Sequence, residues 1–395
     1  SPYTYPTITG PGTPIVNTST GAASSLCAGT YIVTVSDANS CTTTVSFTIT
    51  QPTQLTASAN VTSNVSCFGL CDATATTSGS GGTSPYTYPS ITGPGTPVIN
   101  TATGAASSLC AGTYIVTVSD ANSCTTTVSF TITQPTQLTA SANVTSNVSC
   151  FGLCDATATV SGTGGTSPYT YSTITGPGTP VINTTTGAAS SLCAGTYIVT
   201  VSDANSCTST VSFTITQPAS ALSASANVTS NVSCFGLCNG TATVSGSGGT
   251  SPYMYPTITG PGTPVINTTT GAASSLCAGT YIVTVSDANS CTTTVSFTIA
   301  QPASALTASA NVTSNVSCFG LCDGTVTASG SGGTSPYTYP TITGPGTPVI
   351  NATTGAASSL CAGTYIVTVS DANSCTTTVT VTITEPSAVS ISTVS

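Results

Sequence analysis

The chain has 395 residues with nine Asp and Glu and not one Lys, Arg or His. With no cation to neutralise phosphates or lean on an anionic bilayer, nucleic-acid binding and basic membrane attachment are excluded. No apolar run approaches the roughly 20 residues of a membrane span, so no membrane insertion is expected in this region.

Recurrence organises the chain. Cys27, Cys110, Cys193, Cys277 and Cys361 follow one another at steps of 83, 83, 84 and 84 in the numbering, and the longer step begins where Gln134-Pro-Thr-Gln-Leu138 becomes Gln217-Pro-Ala-Ser-Ala-Leu222. Insertion beside a proline marks a connector. The expected division is a partial repeat 1–52, full repeats 53–135, 136–218, 219–302 and 303–386, and the opening of a further one at 387–395. Ser1 aligns with Ser84, so a longer natural polypeptide is expected at both ends.

Within 53–135, Leu55, Ala57, Ala59 and Val61 alternate with polar residues and predict a first strand, closed by a tight loop at Phe68-Gly-Leu-Cys71. Asp72 to Ser78 alternates again. Ala158 and Val160 in one copy become Val326 and Ala328 in another, an exchange of size that a packed inner face permits. Pro85-Tyr-Thr-Tyr88 opens a third strand, and Thr92-Gly-Pro-Gly-Thr-Pro97 breaks the chain. Val98-Ile99 is a short strand, followed by an Asn100–Ser108 connection with no clear period. Gly112 to Thr133 predicts a β-hairpin with Tyr114, Val116, Val118, Val128, Phe130 and Ile132 on one face and hydroxyls on the other. Roughly seven short strands and no helical period indicate an all-β chain, a tandem array of immunoglobulin-like antiparallel β-sandwich domains.

The core is thin: residues 53–135 hold fifteen Leu, Ile, Val and Phe, about 18%. Four cysteines per repeat at constant offsets supply covalent help and point to an oxidising compartment. Alternating strands bring the first loop and the start of the hairpin to one pole, which predicts Cys71–Cys110, Cys154–Cys193, Cys238–Cys277 and Cys322–Cys361. Closing a loop of that length contributes about 2–4 kcal/mol. Cys67 lies near the same pole, whereas Cys124 follows the hairpin turn at the opposite one. Alternation thus argues against Cys67–Cys124, and a bond from Cys67 to Cys207 of the next repeat is the other course.

Val65-Ser-Cys67-Phe-Gly with Asp72, Gly81-Gly-Thr-Ser-Pro-Tyr-Thr-Tyr88, Leu109-Cys-Ala-Gly-Thr-Tyr114 and Val118-Ser-Asp-Ala-Asn-Ser-Cys124 together resemble the SprB-type repeat of gliding-motility adhesins and giant cell-surface proteins of Bacteroidetes. The resemblance covers every full repeat. Two departures stand out. Such repeats carry Trp where this chain has Pro89, Ser172, Pro256 or Pro340, which is expected to thin the core, and Gly where Ser123 stands. The resemblance implies an extracellular filament or stalk at the cell surface, exported by the type IX system and serving adhesion or gliding, with no catalytic group and no cofactor. It also implies the pairings Cys67–Cys124, Cys150–Cys207, Cys234–Cys291 and Cys318–Cys375.

Sharper chemistry is weaker. Cys67-x3-Cys71 has ligand spacing for zinc or iron–sulfur, but Cys110 and Cys124 are too widely spaced around a hairpin to complete the pattern. A nucleophile would have only isolated carboxylates for a base, so no enzyme is expected. Asp120 and Asn122 are weak calcium candidates, and one carboxylate per site favours an Asx turn. Asp72 and Asp155 become Asn239, which suggests a turn role. Tyr86 and Tyr88 suit core packing more than a sugar-binding face. Asn60-Val-Thr and Asn64-Val-Ser are glycosylation strings that composition alone produces. A near-neutral hydroxyl surface leaves self-association into filaments or bundles unopposed. Surface polysaccharide, bound weakly by each repeat and strongly by the array, is the alternative partner.

Overall fold

The computed structural model describes residues 2–391. Five strands open the chain: β1 (Thr4–Thr9), β2 (Ile15–Val16), β3 (Ala23–Ser24), β4 (Gly29–Ser36) and β5 (Thr42–Ile49). Seven follow: β6 (Thr56–Ser63), β7 (Ala73–Ser80), β8 (Thr87–Thr92), β9 (Val98–Ile99), β10 (Ala105–Leu109), β11 (Gly112–Ser119) and β12 (Thr125–Ile132). The same seven recur over 139–215, 223–299 and 307–383, and residues 387–391 form no strand. Residues 392–395 of the expected further repeat lie outside the described residues.

Each set of seven makes two sheets, one in the order β6-β7-β10-β9 and one in the order β12-β11-β8. Every pairing is antiparallel, which gives the four-plus-three arrangement of an immunoglobulin-type sandwich. The β11–β12 hairpin pairs without slippage from Gly112↔Ile132 to Ser119↔Thr125. Its alternation turns Tyr114, Val116, Val118, Phe130 and Ile132 inward against Ala73, Ala75 and Leu109 of the other sheet. Full burial of such side chains contributes about 1.5–3 kcal/mol each. Tyr114 stacks on Phe130 with ring centroids 5.6 Å apart. At Val381 the last repeat lacks that ring, and its buried residues fall into two smaller groups.

The exchanged pair sits as its sizes require. Ala158 and Val160, like Val326 and Ala328, are all buried. One expected connection is a strand. After Asn100 caps its own turn, accepting from the Ala102 and Thr103 amides at 3.0 Å, the chain enters β10 and buries Ala106 and Leu109. A register shift between those two residues, with Ser108 at φ 56°, breaks the two-residue period.

The sheet edges are managed without charge. β9 is two residues long, and β8 carries exposed Pro89, which has no N–H to offer. On the other side β6 and β12 meet: the Val65 amide donates to Thr133 O at 3.1 Å and the Thr133 amide to Asn64 Oδ1 at 2.9 Å. The position where the resemblance expects Trp is exposed at Pro89, Ser172, Pro256 and Pro340 alike, so its absence takes nothing from the core.

Candidate functional site

Two kinds of sulfur bridge recur along the chain. Cys71, after the β6–β7 loop, is bonded to Cys110 at the entry to β11, and Cys154–Cys193, Cys238–Cys277 and Cys322–Cys361 repeat the bond. The Gly-Pro-Gly loop covers it. Gly95, at φ +73°, lies so close that a Cβ there would stand 2.4 Å from Cys110 Sγ. Tyr114 locks the same corner, for the hydroxyl of this buried side chain donates to Pro94 O at 2.8 Å and accepts from the Cys110 amide at 2.8 Å. Burial pushes the equivalent Tyr281 phenol above its ordinary range.

The second bridge corrects the pairing drawn from the resemblance. Cys67 is bonded to Cys207, not Cys124; Cys150 to Cys291, not Cys207; and Cys234 to Cys375, not Cys291. The expected Cys318–Cys375 bond is absent accordingly, and Cys27, Cys41, Cys124 and Cys318 are free and exposed. The reason is the one alternation supplies. The β6–β7 loop stands at the far pole of its repeat and the hairpin turn at the near pole of the next, so their cysteines meet across the junction with Cα atoms 5.7 Å apart.

Hydrogen bonds repeat at this junction. Asn205 Nδ2 donates to Ser66 O at 2.9 Å across repeats, and Asn289 and Asn373 do the same to Ser149 and Ser233. The Gly69 amide donates to Gln134 Oε1 at 2.9 Å, which ties the loop to its own connector, and Glu385 replaces that glutamine at Gly320. A cleft of about 400 Å³ lies between Asn64, Gln134, Pro135, Thr166 and Asn205.

The carboxylates are occupied by donors. Asp120 Oδ1 accepts from the Asn122 and Cys124 amides and Oδ2 from Thr83, each at 2.9 Å, so backbone dipoles face both oxygens of the calcium candidate. Asn122 turns its Nδ2 to Thr83 Oγ1 at 2.9 Å. The Thr83 amide, ahead of the other two, holds the Asp120 carboxyl below the usual range. Asp72, Asp155 and Asp323 are lowered too, first by the hydroxyls of Ser66, Ser149 and Ser317 and then by those residues' amides. Asn239 keeps the amide contact at 3.0 Å and donates to Ser233 Oγ instead of accepting. Among the described residues no three His, Cys, Asp or Glu side chains converge as metal ligands. Tyr86 and Tyr88 both pack in the sandwich interior, Tyr88 buried and Tyr86 half-buried with its hydroxyl donating to Gly81 O at 2.7 Å. They present no aromatic platform.

The SprB repeat family matches three stretches, residues 142–178, 226–262 and 310–346. The chain carries SprB-type repeats. Each match runs from the first strand of a set to the Gly-Pro-Gly loop and recurs at the repeat spacing, leaving the hairpin outside. No curated protein matches the chain. Among solved structures, invasin, a bacterial integrin-binding protein, is 15% identical at TM-score 0.35, with 84% of this chain and 79% of that one covered. A tetra-tandem repeat from the extending region of a large adhesion protein is 18% identical at TM-score 0.28, covering 84% and 99%. The protocadherin gammaB4 extracellular domain is 12% identical at TM-score 0.26, covering 96% and 77%. Similarities this low do not bear on what the chain binds.

Proposed function

We propose that this chain is the extracellular stalk of a bacterial cell-surface adhesin, a structural array and not an enzyme. Its working units are the modules 53–135, 136–218, 219–302 and 303–386 with the partial module 1–52. The observation that carries the reading is the junction, where the same disulfide and asparagine contact recur from repeat to repeat. Bonds of this kind belong to oxidising surroundings. The SprB-type repeats support a role in adhesion or gliding and export by a type IX route. Exposed apolar side chains recurring on each repeat, Phe68, Leu70 and Ile115 in the first full one, support lateral self-association into bundles. The test is antibody labelling of intact producing cells, with protease shaving as control. Label on the outer surface that shaving removes supports the reading, and label seen only after lysis contradicts it.

A second reading has its own observation. A shallow groove recurs on the β6–β7–β10–β9 sheet, lined in one repeat by Thr145, Thr157, Thr159, Val181, Ile182 and Asn183 and enclosing about 750 Å³. Uncharged hydroxyls beside small apolar side chains suit a neutral glycan, and tandem copies would multiply a weak contact. Retention of the full chain on a glycan panel, lost on shortening the array, favours this reading over a passive stalk.

A further inference from the structure

The disulfides between repeats overlap along the sequence. Cys150 lies inside the loop closed by Cys67–Cys207, and Cys234 lies inside the loop closed by Cys150–Cys291. A covalent route therefore leads from Cys67 across to Cys207, along the backbone to Cys234, and across to Cys375. Only the backbone between Cys207 and Cys234 is needed to connect positions as far apart in the sequence as Cys67 and Cys375. That stretch is already extended, since it comprises the last strand of one repeat, Thr208–Ile215, a connector, and the first strand of the next, Ser223–Ser230.

A second line lies beside the first, from Cys124 through Thr125–Ile132 and Thr139–Ser146 to Cys150, then across to Cys291 and on to Cys318. In the repeat 136–218 the two lines are its first and last strands, which touch where the Val148 amide donates to Thr216 O at 3.0 Å.

We infer that the chain between Cys67 and Cys375 is a nearly inextensible tether, in which pulling force passes through the first and shorter of these disulfide-linked lines and bypasses the sandwich cores. The other six strands of each stapled repeat sit inside closed covalent loops. Unfolding them lengthens nothing, so a core as lean as this one is compatible with load. The inference needs only the pairing and the strand order, and holds wherever these bonds stay oxidised.

The experiment is single-molecule pulling on the purified full chain, held at its two ends, oxidised and then reduced. The stretched oxidised route runs along the backbone from Ser1 to Cys67, from Cys207 to Cys234 and from Cys375 to Ser395, and crosses sulfur between them. Its contour is roughly 400 Å at about 3.3–3.6 Å per residue, against roughly 1,400 Å after reduction, a change of about three and a half fold. Bonds confined within repeats give different lengths: roughly 600 Å for the Cys67–Cys124 pattern and roughly 850 Å with only the Cys71–Cys110 type intact. An oxidised length matching the shortest of these contours supports the tether. Any of the three longer values in the oxidised chain overturns it.

Discussion

Among the described residues, Thr77 on β7 is the buried polar side chain left without a hydrogen-bond partner. It is 3% exposed opposite Ala59, and the atom left unpaired is Oγ1. Val160 and Val244 occupy the same place in later repeats and are equally buried. A buried hydroxyl without a partner costs about 1–3 kcal/mol, and valine replaces it at almost the same volume. Thr77→Val should therefore stabilise the repeat by about 1–2 kcal/mol. Exchange of protected β7 amides, including the Thr77 N–H held 2.9 Å from Gly104 O, should slow by about 5- to 30-fold. Hydrogen-exchange mass spectrometry of the oxidised chain reads this locally. The reciprocal Val160→Thr should accelerate exchange in its own repeat alone. Faster exchange in Thr77→Val would show that the hydroxyl is paired and refute the reasoning.

Tyr114→Phe removes a donor to Pro94 O and an acceptor for the Cys110 amide at a buried corner, so the urea midpoint of that repeat should fall by the equivalent of about 1–3 kcal/mol. Ser123 is held at φ 64°, in the left-handed region, and Ser123→Gly should be neutral to stabilising by up to about 1 kcal/mol in the same assay, whereas Ser123→Val should destabilise. Asp72, Asp120, Asp155 and Asp323 all have lowered folded-state values. Carboxylates shifted down contribute stability above their unfolded value of 3.8, and lose it as pH falls through the folded one. Thermal melts should be level from pH 7 to about 5 and decline only below 3.8; a drop between pH 7 and 5 would contradict this assignment.

Most of the sandwich was legible because strand period and burial coincide. In the hairpin each second residue from Tyr114 to Val118 is apolar and each is buried. β10 was hidden for a local reason: Ala-Ala-Ser-Ser-Leu has little contrast, and the bulge at Ser108 puts Ala106 and Leu109 three apart instead of two. The outward place of the absent Trp was legible in the same way as the hairpin, since Pro89 directly follows inward Tyr88 and alternation turns it to the surface.

The junction divided in the same way. Strand alternation placed Cys67 and Cys124 at opposite poles, but whether neighbouring repeats approach closely enough to bond depends on the connector, which sequence pattern does not fix. Gln134 beside Pro135 held the missing signal, since its side chain anchors Gly69 and so aims the β6–β7 loop at the next repeat. An amide before a proline looks like any linker until that partner is known.

Peptide mapping of the native chain under non-reducing conditions, with thiols blocked before digestion, tests the account most directly. It should recover Cys67 linked to Cys207, Cys150 to Cys291 and Cys234 to Cys375. Recovery of Cys67 with Cys124, or of free thiols at these six positions, would contradict it.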